Sequence, residues 1–326
     1  MSPVRQAIRE AIERVTAART ADELFGAVEP VRVYHRLARL THPDLVEPAE
    51  RVAATEAFIR LTTLWRSRHT VVLCTRRAEY RLGPVAHRGD LANLYEVDGA
   101  LLKLVRDPVH NDLLSREAWA LRTLAQQGDP RYLPYLPRLV ESFRHRETGT
   151  GVERRANVIG TTVGGLHSLV EVRQAYPDGL DPRDAAWMAR RLLVAIGLAH
   201  RAGVVHGAVL PDHVLIHPRE HGLVLVDWCY ATRLGEPVPA FVDRYRDWYP
   251  PEVTTAAGPG TDIAMAARCL TYLMAGRIPD PLRVFADGCR LPRLHQRPDD
   301  AWCLLAEFDE VLGRLYGPRT FRPFQL

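Results

Sequence analysis

Lysine is almost missing from this chain. Of its 43 lysines and arginines, only Lys103 is a lysine. Cysteine is scarce as well: five residues, at 74, 229, 269, 289 and 303, with no C-x-x-C pair. That spacing argues against a zinc ribbon or a disulfide framework and is the usage expected of a reducing, cytoplasmic compartment. No apolar run approaches the roughly 18 residues that a membrane-spanning helix needs, so no span is expected. The opening stretch "MSPVRQAIREAIERV" is amphipathic and charged without an apolar centre, so no secretory signal is expected either. Long basic blocks are lacking too. "RRAEYR" and "RHRETGTGVERR" are interrupted by acids, and the net charge is only +4. Both read as solvated surface, and no nucleic-acid partner is expected.

What is present is an ordinary globular composition. The chain has 326 residues, 47% hydrophobic and 25% charged, which suggests two domains. Residues 1–67 read as helical. Residues 68–79 read as a linker. From about Tyr80 short β-rich runs appear at "LANLYEV", "ALLKLV" and "RANVIGT". Helices dominate again after Asp181, a candidate N-cap followed by Pro182 at the first helical position. Ala185, Met188, Leu192, Ile196 and Ala199 form a helical stripe that Gly203 ends. Two apolar strands, "HVLIH" and "LVLVD", then flank a "PREHG" turn. The expected class is α+β, with a helical domain over 1–67, a larger domain over 80–316 and a tail over 317–326.

In the first block, "VRVYHRLARLTHPDL" sets His42-Pro43-Asp44 after an amphipathic helix. Tyr34 lies eight residues before His42, with Leu37 and Ala38 three and four residues after Tyr34. Phe58, Leu61 and Trp65 repeat the helical spacing downstream. The two sets would zip a pair of helices together, and Pro43 disfavours helical geometry at His42. This block resembles a J-domain of the DnaJ family. The resemblance implies that His42, Pro43, Asp44 and the basic stripe Arg32, Arg36 and Arg39 dock on a DnaK-type chaperone ATPase and stimulate it. The lead-in "ADELFGAVEP" matches the family's first helix only loosely.

In the second block, "VVHGAVLPDHVLIHPREHGLVLVDWCYA" resembles the catalytic loop and metal-binding strand of a protein kinase. The resemblance implies a bilobal kinase-like fold over residues 80–316. It implies a degraded glycine-rich loop in "GPVAHRGDLANLY", with Gly89 near its centre, and a hinge at 158–169. It places Lys103 at the strand-three lysine, Glu117 at its helix-borne partner and Asp227 at the metal-binding aspartate. Glu252 of "YPPEV" and Arg297 of "QRPDD" would form a structural ion pair, with Asp262 opening the central helix between them. The one lysine thus falls where the family uses a compact ammonium against nucleotide phosphates, a place where the planar arginine fork is no equivalent. ATP is the implied ligand, with Mg²⁺ held weakly at best through Asp227.

Several family residues are absent. The expected catalytic aspartate is Ala208, the loop lysine is Leu210, and the metal-binding asparagine is His213. The DFG motif reads Asp227-Trp228-Cys229. Loss of a general base costs ~10²–10⁴ in rate. Asp212 is the nearest spare carboxylate. His213, His217 and His221 are evenly spaced but straddle the expected hairpin, where helical convergence on a metal does not apply. His206 reads as a brace for the loop, and Cys229 as a small buried residue. The expectation is a J-domain co-chaperone or scaffold whose nucleotide-binding pseudokinase domain holds an unidentified protein client. The alternatives are an atypical phosphotransferase with a rearranged site and a purely structural interaction protein.

Overall fold

The computed structural model describes residues 3–26, 28–68, 71–147, 150–160 and 164–326. The chain is of the α+β class. It divides into two compact units, Met1–Pro84 and Val85–Leu326. Among the described residues, no helix is long and apolar enough to cross a membrane.

The first unit contains α1 (Pro3–Ala17), α2 (Ala21–Phe25), α3 (Pro30–Leu40) and α4 (Arg51–Arg68). Thr20 caps α2 by accepting the Glu23 N–H at 3.2 Å. Val15, Leu24, Phe25, Leu37 and Leu61 are fully buried between the helices. Tyr34 of α3 stacks on Trp65 of α4 at 4.5 Å between ring centroids, and Phe25 meets Trp65 edge-on at 5.0 Å. Spacing by three and four residues thus brings the expected pair of helices into contact.

Two strands, β1 (Val71–Cys74) and β2 (Glu79–Leu82), pair antiparallel with Leu73 opposite Tyr80. This hairpin falls where a linker over 68–79 was expected. Residues 69 and 70 lie outside the described ones. Leu73 and Tyr80 are buried, so the segment carries packing of its own.

The second unit begins with β3 (His87–Arg88), β4 (Ala92–Val97) and β5 (Ala100–Val105). Then come α5 (Asn111–Gln127), β6 (Arg138–Arg146) and β7 (Glu153–Gly160). The five strands form one antiparallel sheet in the order β3-β4-β5-β7-β6. β6 was not foreseen. Its sequence "RLVESFRHR" is charged and half-buried along most of its length, as suits an edge strand.

Next are β8 (His167–Ser168), α6 (Leu169–Ala175), α7 (Pro182–Arg201) and β9 (Val204–Val205). The hairpin β10 (Val214–His217) and β11 (Gly222–Leu225) follows, then β12 (Thr232–Arg233). Three helices close the chain: α8 (Pro259–Met274), α9 (Asp280–Gly288) and α10 (Ala301–Tyr316). α7 starts where Asp181 accepts the Arg183 N–H at 2.9 Å with Pro182 behind it. It ends before Gly203, whose φ of 73° is a glycine conformation. All five residues of its expected stripe are buried. Val214 pairs with Leu225 in the hairpin. One core continues from Val105 and Leu121 through α7 and α8 to Phe308. The expected tail is anchored: Phe324 is buried and Tyr176 donates its hydroxyl to the Gln325 carbonyl at 2.6 Å.

Candidate functional site

Strand alternation aims Lys103 of β5 inward, with Leu94 and Asn157 on either side in the sheet. Lys103 is only 8% exposed, so its ammonium must be compensated. It donates to Glu117 Oε1 at 2.9 Å, to Asp227 Oδ1 at 2.5 Å and toward Cys229 Sγ at 3.2 Å. All three of its N–H donors are thereby engaged. Burial alone would lower the Lys103 pKa. The charges of Asp227 and Glu117 reverse this and hold it well above 10.5.

Glu117 is fixed on its other side. Asn157 Nδ2 donates to Glu117 Oε2 and to the Leu114 carbonyl, each at 2.8 Å. Asn157 was missed by sequence reasoning. The available signal was an asparagine inside the apolar strand "RANVIGT".

Asp227 sits at the end of the β10–β11 hairpin in a left-handed conformation, φ 63°. One carboxylate oxygen faces Lys103 and the other lies 3.3 Å from His213 Nε2. The second ring nitrogen of His213 is 2.9 Å from the Ala208 carbonyl. Burial would raise the Asp227 pKa, but Lys103 and His213 hold it well below the usual carboxylate range. The Cys229 thiol is pushed up, first by burial and then by Glu117, and stays protonated.

Glu117, Asp227 and Cys229 are the one group of three metal-ligating side chains that converges among the described residues. Lys103 already stands between them. A buried protonated thiol, two carboxylates bridged by an ammonium, and an imidazole where an oxygen ligand would serve are a poor donor set for Mg²⁺. His217 instead accepts the Glu220 N–H, and His221 stacks on Trp187 at 4.1 Å, so the three spaced histidines do different jobs.

The loop below is braced by Asp262 of α8. Its carboxylate accepts the backbone N–H groups of His206 at 2.8 Å and Gly207 at 2.9 Å, and faces His200 Nε2 at 3.0 Å. Gly207 has φ 73°, and a Cβ there would come within 2.8 Å of the Tyr230 carbonyl. His206 is fully buried. Its Nε2 lies 3.0 Å from the Val226 carbonyl and its Nδ1 accepts the Ala208 N–H at 3.2 Å. One donor and one acceptor describe a neutral ring, and burial lowers its pKa from 6.5 to about 4. Ala208 and Leu210 are wholly buried and offer no side-chain acid or base.

Gly89 lies in the exposed turn between β3 and β4, its N–H bonded to the Ala92 carbonyl at 2.9 Å. Its neighbour Asp90 is 3.4 Å from Arg244, whose other nitrogen is 3.1 Å from Asp212. Tyr245 also donates to Asp212. The spare carboxylate Asp212 is therefore tied down by residues that carried no sequence signal. Residues 161–163 of the expected hinge lie outside the described ones. Glu252 and Arg297 are brought together at 2.5 Å, Thr261 donating to the same Glu252 oxygen at 3.1 Å.

In the first unit His42 packs edge-on against Phe58 at 5.3 Å and its Nδ1 accepts the Asp44 N–H at 3.3 Å. Pro43 opens the short turn Pro43–Leu45. Arg32, Arg36 and Arg39 are exposed on α3, Arg32 paired with Glu29 at 3.0 Å.

No protein-family model matches the chain, and no curated protein matches it either.

Proposed function

We propose that the second unit is a kinase-like, nucleotide-binding module without phosphotransfer activity, joined to a J-domain that recruits a DnaK-type chaperone ATPase. The chain would act in the cytoplasm as a co-chaperone or scaffold for a protein client. One observation carries the nucleotide reading: the chain's single lysine is buried between Glu117 and Asp227, elements apart in sequence. ATP would enter against Lys103, a phosphate oxygen replacing the neutral Cys229 sulfur, the weakest of its three acceptors. His213 Nε2 occupies the side of Asp227 where the resemblance would put a metal ion, and the donor set there suits Mg²⁺ poorly, so binding should not need Mg²⁺. The loss of activity follows from Ala208, which supplies no base, and from Asp212, which is held by Arg244 and Tyr245.

Thermal shift of the full chain with ATP, GTP, and each with Mg²⁺ tests this. A ligand at 100 times its Kd adds about 2.7 kcal/mol, a shift of several degrees. Stabilisation by nucleotide without metal is the expected result. No shift under any condition would refute it. It would favour a second reading, supported by the saturated Lys103 donors: that the ion network is purely structural and both units serve as binding platforms.

A further inference from the structure

Apart from Lys103 and its partners, a cavity of about 630 Å³ opens beside α5. Four arginines line it: Arg116 of α5, Arg144 of β6, Arg155 of β7 and Arg233 of β12. Asp112 and Glu236 share the wall. The arginines are incompletely neutralised. Arg144 pairs with Glu153 at 2.9 Å, while Arg233 is a loose 3.8 Å from Glu236 and lies over the Trp119 ring at 4.9 Å. Arg155 donates to the Ser142 hydroxyl at 3.1 Å and forms no ion pair among the described residues. Its pKa is lowered first by burial and then by the neighbouring charges of Arg144 and Arg122. Arg116 forms no ion pair among the described residues.

The walls are also fixed. Asn111, at the start of α5, accepts the Arg155 N–H at 2.6 Å and donates to the Glu153 carbonyl at 2.8 Å. Helix and strand are thereby fastened together, so Arg116 and Arg155 sit on preformed supports. The volume lies within the ~300–1,000 Å³ of organic-ligand sites and exceeds what a bare anion fills. Trp119 and the exposed Val109 add apolar surface to the lining.

We infer that this groove binds a phosphorylated peptide segment. A phosphate monoester carries about −1.5 to −2 charges at neutral pH, which suits Arg116 and Arg155, the two lining arginines without an ion pair among the described residues. Its three oxygens suit several guanidinium forks at once, as a single carboxylate does not. The residues flanking the phosphorylated side chain would lie on Trp119 and Val109. Because α5 also carries Glu117 on its buried face, the occupant would brace the helix that pairs with Lys103.

The test is fluorescence polarisation of the full chain with a fluorescein-labelled peptide pool having a central phosphoserine and randomised flanks. Its unphosphorylated pool and inorganic phosphate are the other probes. The phosphorylated pool should bind saturably, at least ~10-fold more tightly than the unphosphorylated one, and more weakly as salt rises. Arg116→Glu and Arg233→Glu, both near the protein surface, should each weaken it by at least ~10-fold without changing the melting temperature of the free chain. Inorganic phosphate should compete only at far higher concentration. Equal binding of the two pools, no binding of either, unchanged affinity in both variants, or full competition by phosphate at equal concentration would each overturn the inference. None of these arms alters Lys103, Glu117 or Asp227, so a cleft that fails to bind nucleotide leaves the result intact.

Discussion

Arg297→Ala is the sharpest perturbation available in the second unit. The guanidinium makes three contacts in a nearly dry site: Glu252 at 2.5 Å, the Leu291 carbonyl at 2.5 Å and the Pro292 carbonyl at 3.2 Å. The side chains of Arg297 and Glu252 are 2% and 12% exposed. Truncation leaves a buried carboxylate with the Thr261 hydroxyl as its one remaining side-chain donor among the described residues, and two carbonyls lose their donor. Removing one member of such a pair costs ~3–5 kcal/mol. For a unit of this length each kcal/mol moves Tm by roughly 2–4 °C, so the transition of the second unit should fall by roughly 6–20 °C. Glu252→Gln should cost less, since an amide oxygen still accepts from Arg297 and Thr261. Calorimetry of both single variants and the double variant Glu252→Gln/Arg297→Ala reads the coupling directly. A Tm loss below about 3 °C for Arg297→Ala, or additive single effects, would refute the argument that this pair is a buried, mutually dependent unit.

The other expectations are more compact. His206 is neutral when folded, with a pKa near 4 against 6.5 unfolded, so between those values the unfolded chain binds the proton. Stability should therefore fall as pH drops from about 6.5 to 4, by up to ~3 kcal/mol, and His206→Gln should flatten that slope in acid melts. His42→Gln should abolish stimulation of a DnaK-type ATPase while leaving the helical circular-dichroism melt unchanged; equal stimulation would remove the J-domain reading. Ala208→Asp should leave phosphate transfer to protein at background, because Leu210 and His213 remain; radiolabel incorporation checks this. Lys103→Arg should lower stability by ~1–3 kcal/mol from overpacking and weaken any nucleotide-dependent thermal shift, though the charge is kept.

Much of the fold was legible because local periodicity and tertiary burial agree. The stripe of α7, its Asp181-Pro182 start and its Gly203 stop predict an element that the structure contains. The same holds for the hairpin around "PREHG", where apolar runs meet a turn. Edge strands were not legible. β6 has an open flank, so its residues need not be apolar, and "RLVESFRHR" carries no alternation to read. β1 and β2 were hidden similarly, since only Leu73, Tyr80 and Leu82 among their residues are buried. At the site, Lys103 stood out through its rarity. Asn157, Arg244 and Tyr245 did not, because their roles depend on which elements fold against one another. In the sequence His213 reads as a lost metal ligand, and only the geometry puts it against Asp227.

The lone lysine can be understood from the charge balance of its surroundings. Of its two carboxylate partners, Glu117 is buried and Asp227 half-buried, and both would be costly if left unpaired. A guanidinium spreads its charge over a rigid plane and asks for acceptors set around that plane. The acceptors here instead converge on one point, two oxygens and a sulfur all within 3.2 Å of a single nitrogen. A tetrahedral ammonium answers that arrangement, and arginine at this position would have to push α5 or the Asp227 turn aside. His213 then faces the remaining Asp227 oxygen, so both oxygens of that carboxylate have a side-chain partner. A chain that writes its other positive charges as arginine therefore keeps lysine where the acceptors are fixed around a point. That holds whether a nucleotide phosphate joins the network or the network stands alone, and the two cases differ only in whether the Cys229 contact is exchanged.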